Sequence, residues 1–431
     1  MYCVPSQPTE RAPHAVAAKL AGRSLRVTRR LPACGSVRHL STKGEVVRIR
    51  LERDALAEAV AWAARSLPNR PSVPILAGLL ISASGEDVVL SSFDNTTSAK
   101  VTVKAEVADE GQALVSGRLL SEIARSLPNR PVELTSDVNK VELVCGSARF
   151  TLQTLPVDEY PSLPGMPKAT GTVVASVFEK AVSQVVVAAG RDELLPVFTG
   201  VRLEIEGDRL SLLATDRYRM ALKEITWAPV SASAEGAALV PGKVLSETAK
   251  SLTAGENVTM SLSSSSEGEG LVGFEGEGAS GERQTITRLL DGSFPKVRHL
   301  MDVDGTVTVR VNAADLLAAV KRVALVAERN TPLRMEIGDD RISLTAATGD
   351  QAQASEAIEA EVGVTTDEPS ITAAGFNPHY LTDALNALDA PYAHFSFTAP
   401  GKPCLITGLA TIDGDPMPDY KHVIMLMRLP G

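Results

Sequence analysis

Three stretches of the chain repeat one compound pattern, and this limits the possible folds more than any other feature. They begin at Arg53, Ser176 and Ala314. Each opens with apolar residues at helical spacing: Leu56, Val60 and Ala63; Phe178, Val182 and Val185; Leu317, Val320 and Val323. Each continues with an alternating strand, a turn written SGED, EGDR or GDDR, and two further strands. A second half recurs too, as ALVSGRLLSEIARSLPN from Ala113, ALVPGKVLSETAKSLTA from Ala238 and ITAAGFNPHYLTDALNALDA from Ile371. In each of these a short apolar strand feeds directly into a helix of about ten residues, and strand pairs follow. The pattern predicts an α+β chain of three tandem modules, each with two helices packed on antiparallel sheets and an internal pseudo-twofold. Turn-rich segments at Ser162–Gly171 and Pro295–Gly305 place the modules at 46–166, 167–298 and 299–431. Repeats of this kind bury their apolar faces by stacking on one another.

Composition narrows the class. With 44% hydrophobic and 22% charged residues, the chain reads as an ordinary soluble globular protein. Aromatics are only 4%, which disfavours a base-stacking surface for single-stranded nucleic acid. Cys3, Cys34, Cys145 and Cys404 form no CxxC pair, so a reducing, cytoplasmic setting is expected rather than a disulfide framework. The histidines show no HxxxH or HExxH spacing, and no metal or other cofactor is expected.

The net charge of −9 is unevenly spread. Residues 1–45 are rich in Pro, Ala, Arg and Ser, and their only acids are Glu10 and Glu45. This segment reads first as a disordered or non-native N-terminal extension. It could instead lie upstream of the natural start, or be an Arg-rich transit peptide.

No constellation suggests catalysis. GEGASG (Gly276–Gly281) matches GxGxxG, but Glu275, Glu277 and Glu282 would repel a pyrophosphate and a strand follows where the dinucleotide fingerprint needs a helix. A hairpin loop is expected there. Asp94 and Asp216 occupy corresponding repeat positions, as a paired acid site would. The third copy has Thr348 there, and a turn role fits Asp216 better.

The motifs RPSVPIL (Arg70–Leu76), LPVDEYPSLP (Leu155–Pro164), LLATDRYRMAL (Leu212–Leu222), DGSFPKV (Asp291–Val297) and VIMLMRL (Val423–Leu429) closely resemble, in order, those of the bacterial DNA polymerase III beta-subunit family, the DNA sliding clamps. The resemblance covers the chain from about Val46 to Leu429, nearly everything outside the extension. The bias to Ala, Val and Arg over Lys fits a high-GC bacterium such as an actinobacterium. The resemblance implies a non-catalytic processivity factor of the replicative polymerase, located in the cytoplasm with the nucleoid. Two chains would join head to tail into a six-module ring around duplex DNA, with helices lining the hole.

Cations on and beside the expected inner helices outnumber the acids there. They include Arg53, Arg65, Arg125, Lys180, Lys250, Lys321, Arg322 and Arg329. The residues expected to face DNA are Arg70, Arg118, Arg191, Arg217 and Lys243. The contacts would be sequence-independent and salt-screened.

The resemblance also implies an apolar peptide-binding cleft between the second and third modules, for the polymerase catalytic subunit, clamp-loader subunits and other motif-bearing proteins. Its lining would be Phe198, Thr215, Arg217, Tyr218, Arg219, Met220, Pro241, Leu245, Val423, Met425, Met427, Arg428 and Leu429. Leu and Phe anchors of a linear motif suit a slot that Met lines adaptably. Leu426 and the Arg217–Tyr218 pair depart from the residues many relatives carry, which puts peptide preference in question. At the ring interface, Phe150 would meet Leu325 and Val326, and Arg149 would meet Glu356 or Glu359. A repeat-built scaffold that binds peptides without encircling DNA is the alternative, and an enzyme with an unrecognised site is a third reading.

Overall fold

Six times along the chain a strand runs straight into a helix. The pairs are Arg48–Leu51 into Arg53–Ala63, Gly111–Ser116 into Gly117–Ser126, and Ala169–Val174 into Ala175–Val186. They continue with Glu235–Pro241 into Gly242–Ser251, Val307–Asn312 into Ala313–Val323, and Ala373–Phe376 into Pro378–Ala387. A computed structural model describes residues 46–429 apart from 69, 264–269, 303–304, 329–330, 349–350 and 366–370. The expectations placed on residues 1–45, on Arg329 and on the side chain of Thr348 lie outside the described residues.

The helices form where apolar residues recur every three or four positions. The first buries Leu56, Ala59, Val60 and Ala63, and the third buries Phe178, Ala181, Val182 and Val185. In the fifth the buried stripe is Leu316, Ala319, Val320 and Val323, so Leu317, expected inside, lies one position off it and is only partly covered. Among the described residues, only the two helices of the third module have a side-chain N-cap. Asn312 accepts from Ala314 N and Asp315 N, both at 3.0 Å, and Asn377 accepts from His379 N at 2.9 Å, just ahead of Pro378. Such caps contribute about 1 kcal/mol each.

All strand pairs among the described residues are antiparallel, and two sheets run across module boundaries. Thr97–Lys104 of the first module pairs with Gly281–Arg288 of the second, from Thr97↔Thr287 to Thr102↔Glu282. Arg219–Thr226 of the second pairs with Tyr420–Ile424 of the third, from Arg219↔Ile424 to Lys223↔Tyr420. The results are a 14-stranded and a 9-stranded sheet, with a 4-stranded sheet in the third module. The first module keeps its own apolar core, whereas a second core runs through the second and third modules.

Polar side chains lock each junction. At the first, buried Arg283 donates to Ser251 O at 2.7 Å, pairs with Glu58 and stacks over the Trp62 ring at 5.2 Å. At the second, Gln184 Nε2 donates to Ala387 O at 2.6 Å and the Tyr420 hydroxyl to Gln184 O at 3.3 Å.

Gly276–Gly281 is the expected hairpin, since Leu271–Gly278 folds back on Gly281–Arg288. Gly281 has φ +115°, and a Cβ there would run into the carbonyl oxygen of Thr102 across the module junction.

Two eight-residue strands leave much of one edge unpaired among the described residues. Ala148–Leu155 pairs with Lys140–Cys145 and meets Gly111–Ser116 only at Thr154 and Leu155. Ala352–Glu359 pairs with Arg341–Thr348 alone among the described residues. No described helix is long and apolar enough to cross a membrane.

Candidate functional site

A four-residue turn lies at the end of the sheet joining the second and third modules. Asp216 builds it: its Oδ1 accepts the backbone N–H groups of Tyr218 and Arg219, both at 3.0 Å. The Thr215 hydroxyl donates to Arg219 O at 2.7 Å. This geometry places Arg217 at φ +80°, a region that L-residues other than Asn and Asp seldom occupy. The first module repeats the turn. Asp94 Oδ1 accepts from Thr96 N at 2.8 Å and Thr97 N at 2.6 Å, and Asn95 has φ +76°. The two corresponding aspartates are thus turn builders at separate module junctions.

Beside the Asp216 turn lies a cavity of about 600 Å³ lined from both modules, including Arg191, Leu195, Phe198, Arg217, Tyr218 and Tyr380. Arg219 forms its floor. Its Nε meets Asp216 Oδ2 at 3.1 Å, its Nη1 meets Asp383 Oδ2 at 2.6 Å, and its guanidinium lies 4.3 Å from the centre of the Tyr380 ring. Burial, with the Asp216 carboxylate next in effect, holds the Tyr380 phenol above its usual pKa. The Arg217 guanidinium sits 5.5 Å from the centre of the Phe198 ring and 5.8 Å from that of Tyr218. The C-terminal run is tied against the same turn, with Met425 N donating to Tyr218 O and Met427 N to Gly375 O, both at 2.8 Å.

Of the residues expected to line the cleft, Phe198, Arg217, Tyr218 and Arg219 surround this cavity. Thr215 and Met220 are buried beneath it. Met425 and Arg428 are exposed, while Met427 and Leu429 are partly covered. Five of the expected lining residues need correction: Thr215, Met220, Leu245 and Val423 are buried, and Pro241 lies elsewhere. Leu245 points into the shared core, and Val423 belongs to a buried cluster with Met220, Leu222 and Phe294; both are 0% exposed, so neither presents a surface. The apolar spacing that suggested a slot there is core packing. Pro241 lines a different groove, of about 870 Å³, at the junction of the first and second modules.

Residues that sequence reasoning missed include Leu195, Tyr380 and Asp383. The repeat contained the signal for two of them, because Pro378–Ala387 is the third-module equivalent of the Gly242–Ser251 helix.

Arg191, expected to face DNA, lines the same cavity, and Lys243 lies in the other groove with Arg65. Arg70 and Arg118 are exposed, and Arg118 donates to Pro68 O at 3.1 Å. Several helical cations are already paired within the chain: Arg53 with Asp54, Lys180 with Asp389 and Arg322 with Glu356. Glu356, one of the two acids expected at the interface, is held within the chain, where Arg322 Nε meets its Oε2 at 2.9 Å and a second bond makes the contact bidentate. Glu359 and Arg149 are exposed, and Leu325 is 85% exposed. Phe150 and Val326 are partly covered against their own modules.

Behind the cleft, His422 is completely buried. Tyr420 gives its proton to Gln184 O, so its oxygen accepts from His422 Nδ1 at 2.9 Å. His422 Nε2 is left as a buried lone pair with no hydrogen-bond partner among the described residues. Burial first, and the Arg219 charge second, push its pKa down to about 3.

Family profiles for the N-terminal, central and C-terminal domains of the DNA polymerase III beta subunit match residues 47–164, 172–296 and 298–428. The chain is 52% identical over 385 residues to a beta sliding clamp of Streptomyces coelicolor, covering 89% of this chain and all of that one. It is 48% identical over 308 residues to a beta sliding clamp of Micrococcus luteus, covering 72% and 97%. Its fold matches the crystal structure of the Caulobacter crescentus beta sliding clamp, with TM-score 0.79, 26% identity and coverage of 89% and 99%. It likewise matches a Pseudomonas aeruginosa sliding clamp bound to griselimycin, with TM-score 0.78, 23% identity and coverage of 89% and 100%. The three-module repeat, the sheets that cross its junctions and these matches agree: the chain belongs to the DNA polymerase III beta-subunit family of sliding clamps.

Proposed function

We propose that two copies of this chain close head to tail into a ring around duplex DNA and hold the replicative polymerase and its accessory proteins through the cleft at the Asp216 turn. As a beta sliding clamp, the chain serves DNA replication as the accessory subunit of DNA polymerase III. The observation that carries the ring reading is a pair of strands with unpaired edges: Ala148–Leu155, which meets Gly111–Ser116 only at its last two residues, and Ala352–Glu359, the outer strand of the four-stranded sheet. An open edge is a pairing template, and closure of a symmetric ring satisfies both edges in one operation. In this arrangement Arg149 and Glu359 face across the seam, and Leu325, Phe150 and Val326 bury one another.

Exposed Arg70, Arg118 and Lys243 would meet phosphates through long, salt-screened contacts. Weak contacts suit a device retained by topology, because tight ones would slow its movement. The family identity and the absence of a reaction in this role make the chain a non-catalytic subunit that works where the chromosome is copied.

The test is retention on DNA. Protein loaded on closed circles should stay bound through gel filtration and be released when the circles are cut. Equal retention on circular and linear DNA would refute encirclement and leave a peptide-binding scaffold. Light scattering should give the mass of two chains at micromolar concentration.

A further inference from the structure

We infer that Arg217 makes the cleft selective for partner peptides carrying a carboxylate beside their apolar anchors; this rests on the peptide-cleft reading above. Three aspartates line the cavity, and each is engaged within the chain. Asp192 Oδ1 accepts from Leu194 N at 3.0 Å. Asp216 holds two backbone N–H groups and Arg219, and Asp383 holds Arg219 from the other side. Arg219 is therefore neutralised twice over, while no carboxylate lies within ion-pair distance of Arg217 among the described residues.

The Phe198 and Tyr218 rings hold the Arg217 guanidinium at the cleft mouth without cancelling its charge. Its five donors and planar fork suit a carboxylate better than a backbone carbonyl. The chain tolerates φ +80° at this position, which a glycine would adopt freely, and so retains backbone strain at a residue whose side chain lines the cavity. An acidic side chain, placed where apolar anchors would enter beside Leu195 and Phe198, completes the pair that the fold leaves open.

The test uses the full-length protein and fluorescein-labelled decapeptides with Leu and Phe anchors and otherwise uncharged residues. One Asp is moved along the peptide, with an Asn counterpart at each position, and binding is read by fluorescence anisotropy at low salt. At one position or more, Asp should bind about fivefold tighter than Asn. That contrast should vanish in Arg217→Gln, persist in Arg217→Lys at reduced size, and remain in Arg191→Gln. Arg217→Gly, which relaxes the turn, separates charge from conformation and should lose the contrast as Arg217→Gln does.

The inference fails if no position prefers Asp, or if the preference survives Arg217→Gln. It also fails if Arg217→Gln weakens duplex DNA binding while leaving all peptides unaffected, which would make the guanidinium a phosphate contact. Wild-type protein that binds none of the peptides, Asn forms included, would instead refute the cleft reading on which the inference stands.

Discussion

His422 ties the acid sensitivity of the fold to the junction behind the cleft. In the native state Nδ1–H is committed to Tyr420 and Nε2 faces buried surroundings with nothing to accept its proton. Protonation would place an unpaired cation in the core near Arg219. The folded pKa is about 3, against about 6.5 for histidine in the unfolded chain. Because the unfolded chain binds the proton and the native state does not, stability is full above pH 6.5 and falls as pH drops from there toward 3. At pH 5 the difference of about 1.5 pH units below the unfolded value corresponds to about 2 kcal/mol. His422→Phe keeps the ring volume, leaves the Tyr420–Gln184 bond in place and removes the titration. It should therefore lose about 2 kcal/mol of the stability difference between pH 8 and pH 5, whatever its stability at pH 8. Urea denaturation of both proteins at fixed protomer concentration, with hydrogen exchange read in Tyr420–Ile424, measures this. Groups that titrate in both proteins cancel in the comparison. Identical pH slopes, or a His422 proton resonance that titrates near 6.5, would refute the reasoning.

Other outcomes can be stated for single sites. Gly281→Ala should destabilise the first-to-second module junction by about 2–4 kcal/mol, through the forced φ and the Thr102 carbonyl, and should raise hydrogen exchange in Thr97–Lys104. Arg217→Gly should raise the thermal midpoint by the equivalent of about 1 kcal/mol while the fold is otherwise unchanged, as scanning calorimetry would detect. Leu325→Asp lies at an exposed position and should change protomer stability by less than about 0.5 kcal/mol, yet shift the light-scattering mass from two chains to one. Deleting Met425–Leu429 should abolish polymerase binding and leave the dimer intact. Loss of the dimer would mean that this segment serves the interface.

The repeat, the helices and the hairpins were legible in the sequence because they are local. Apolar residues three and four apart can bury one face only by forming a helix, and the SGED, EGDR and GDDR turns set the strand pairs that flank them. The GEGASG segment could be read as a hairpin for the same reason, from its charges and the strand that follows. Assignment of the site was less secure where it depended on which side of an element faces solvent. Leu245 and Val423 carry residue types that suit a slot, yet the packing of the second and third modules takes both into the core. Glu356 is a free acid in the sequence, but the fold brings Arg322 beside it across a strand and a helix.

By itself the sequence determined a threefold α+β chain, its family and the position of the Asp216 turn, since each follows from residue type and spacing. Only the tertiary structure decided which charges are spent and which remain available. Arg219 is closed off by two aspartates from different modules, while Arg217, two residues away, is held out on aromatic rings by a left-handed turn. Pairing of that kind depends on distances between segments more than 150 residues apart, here 164 between Arg219 and Asp383, and no local pattern encodes them.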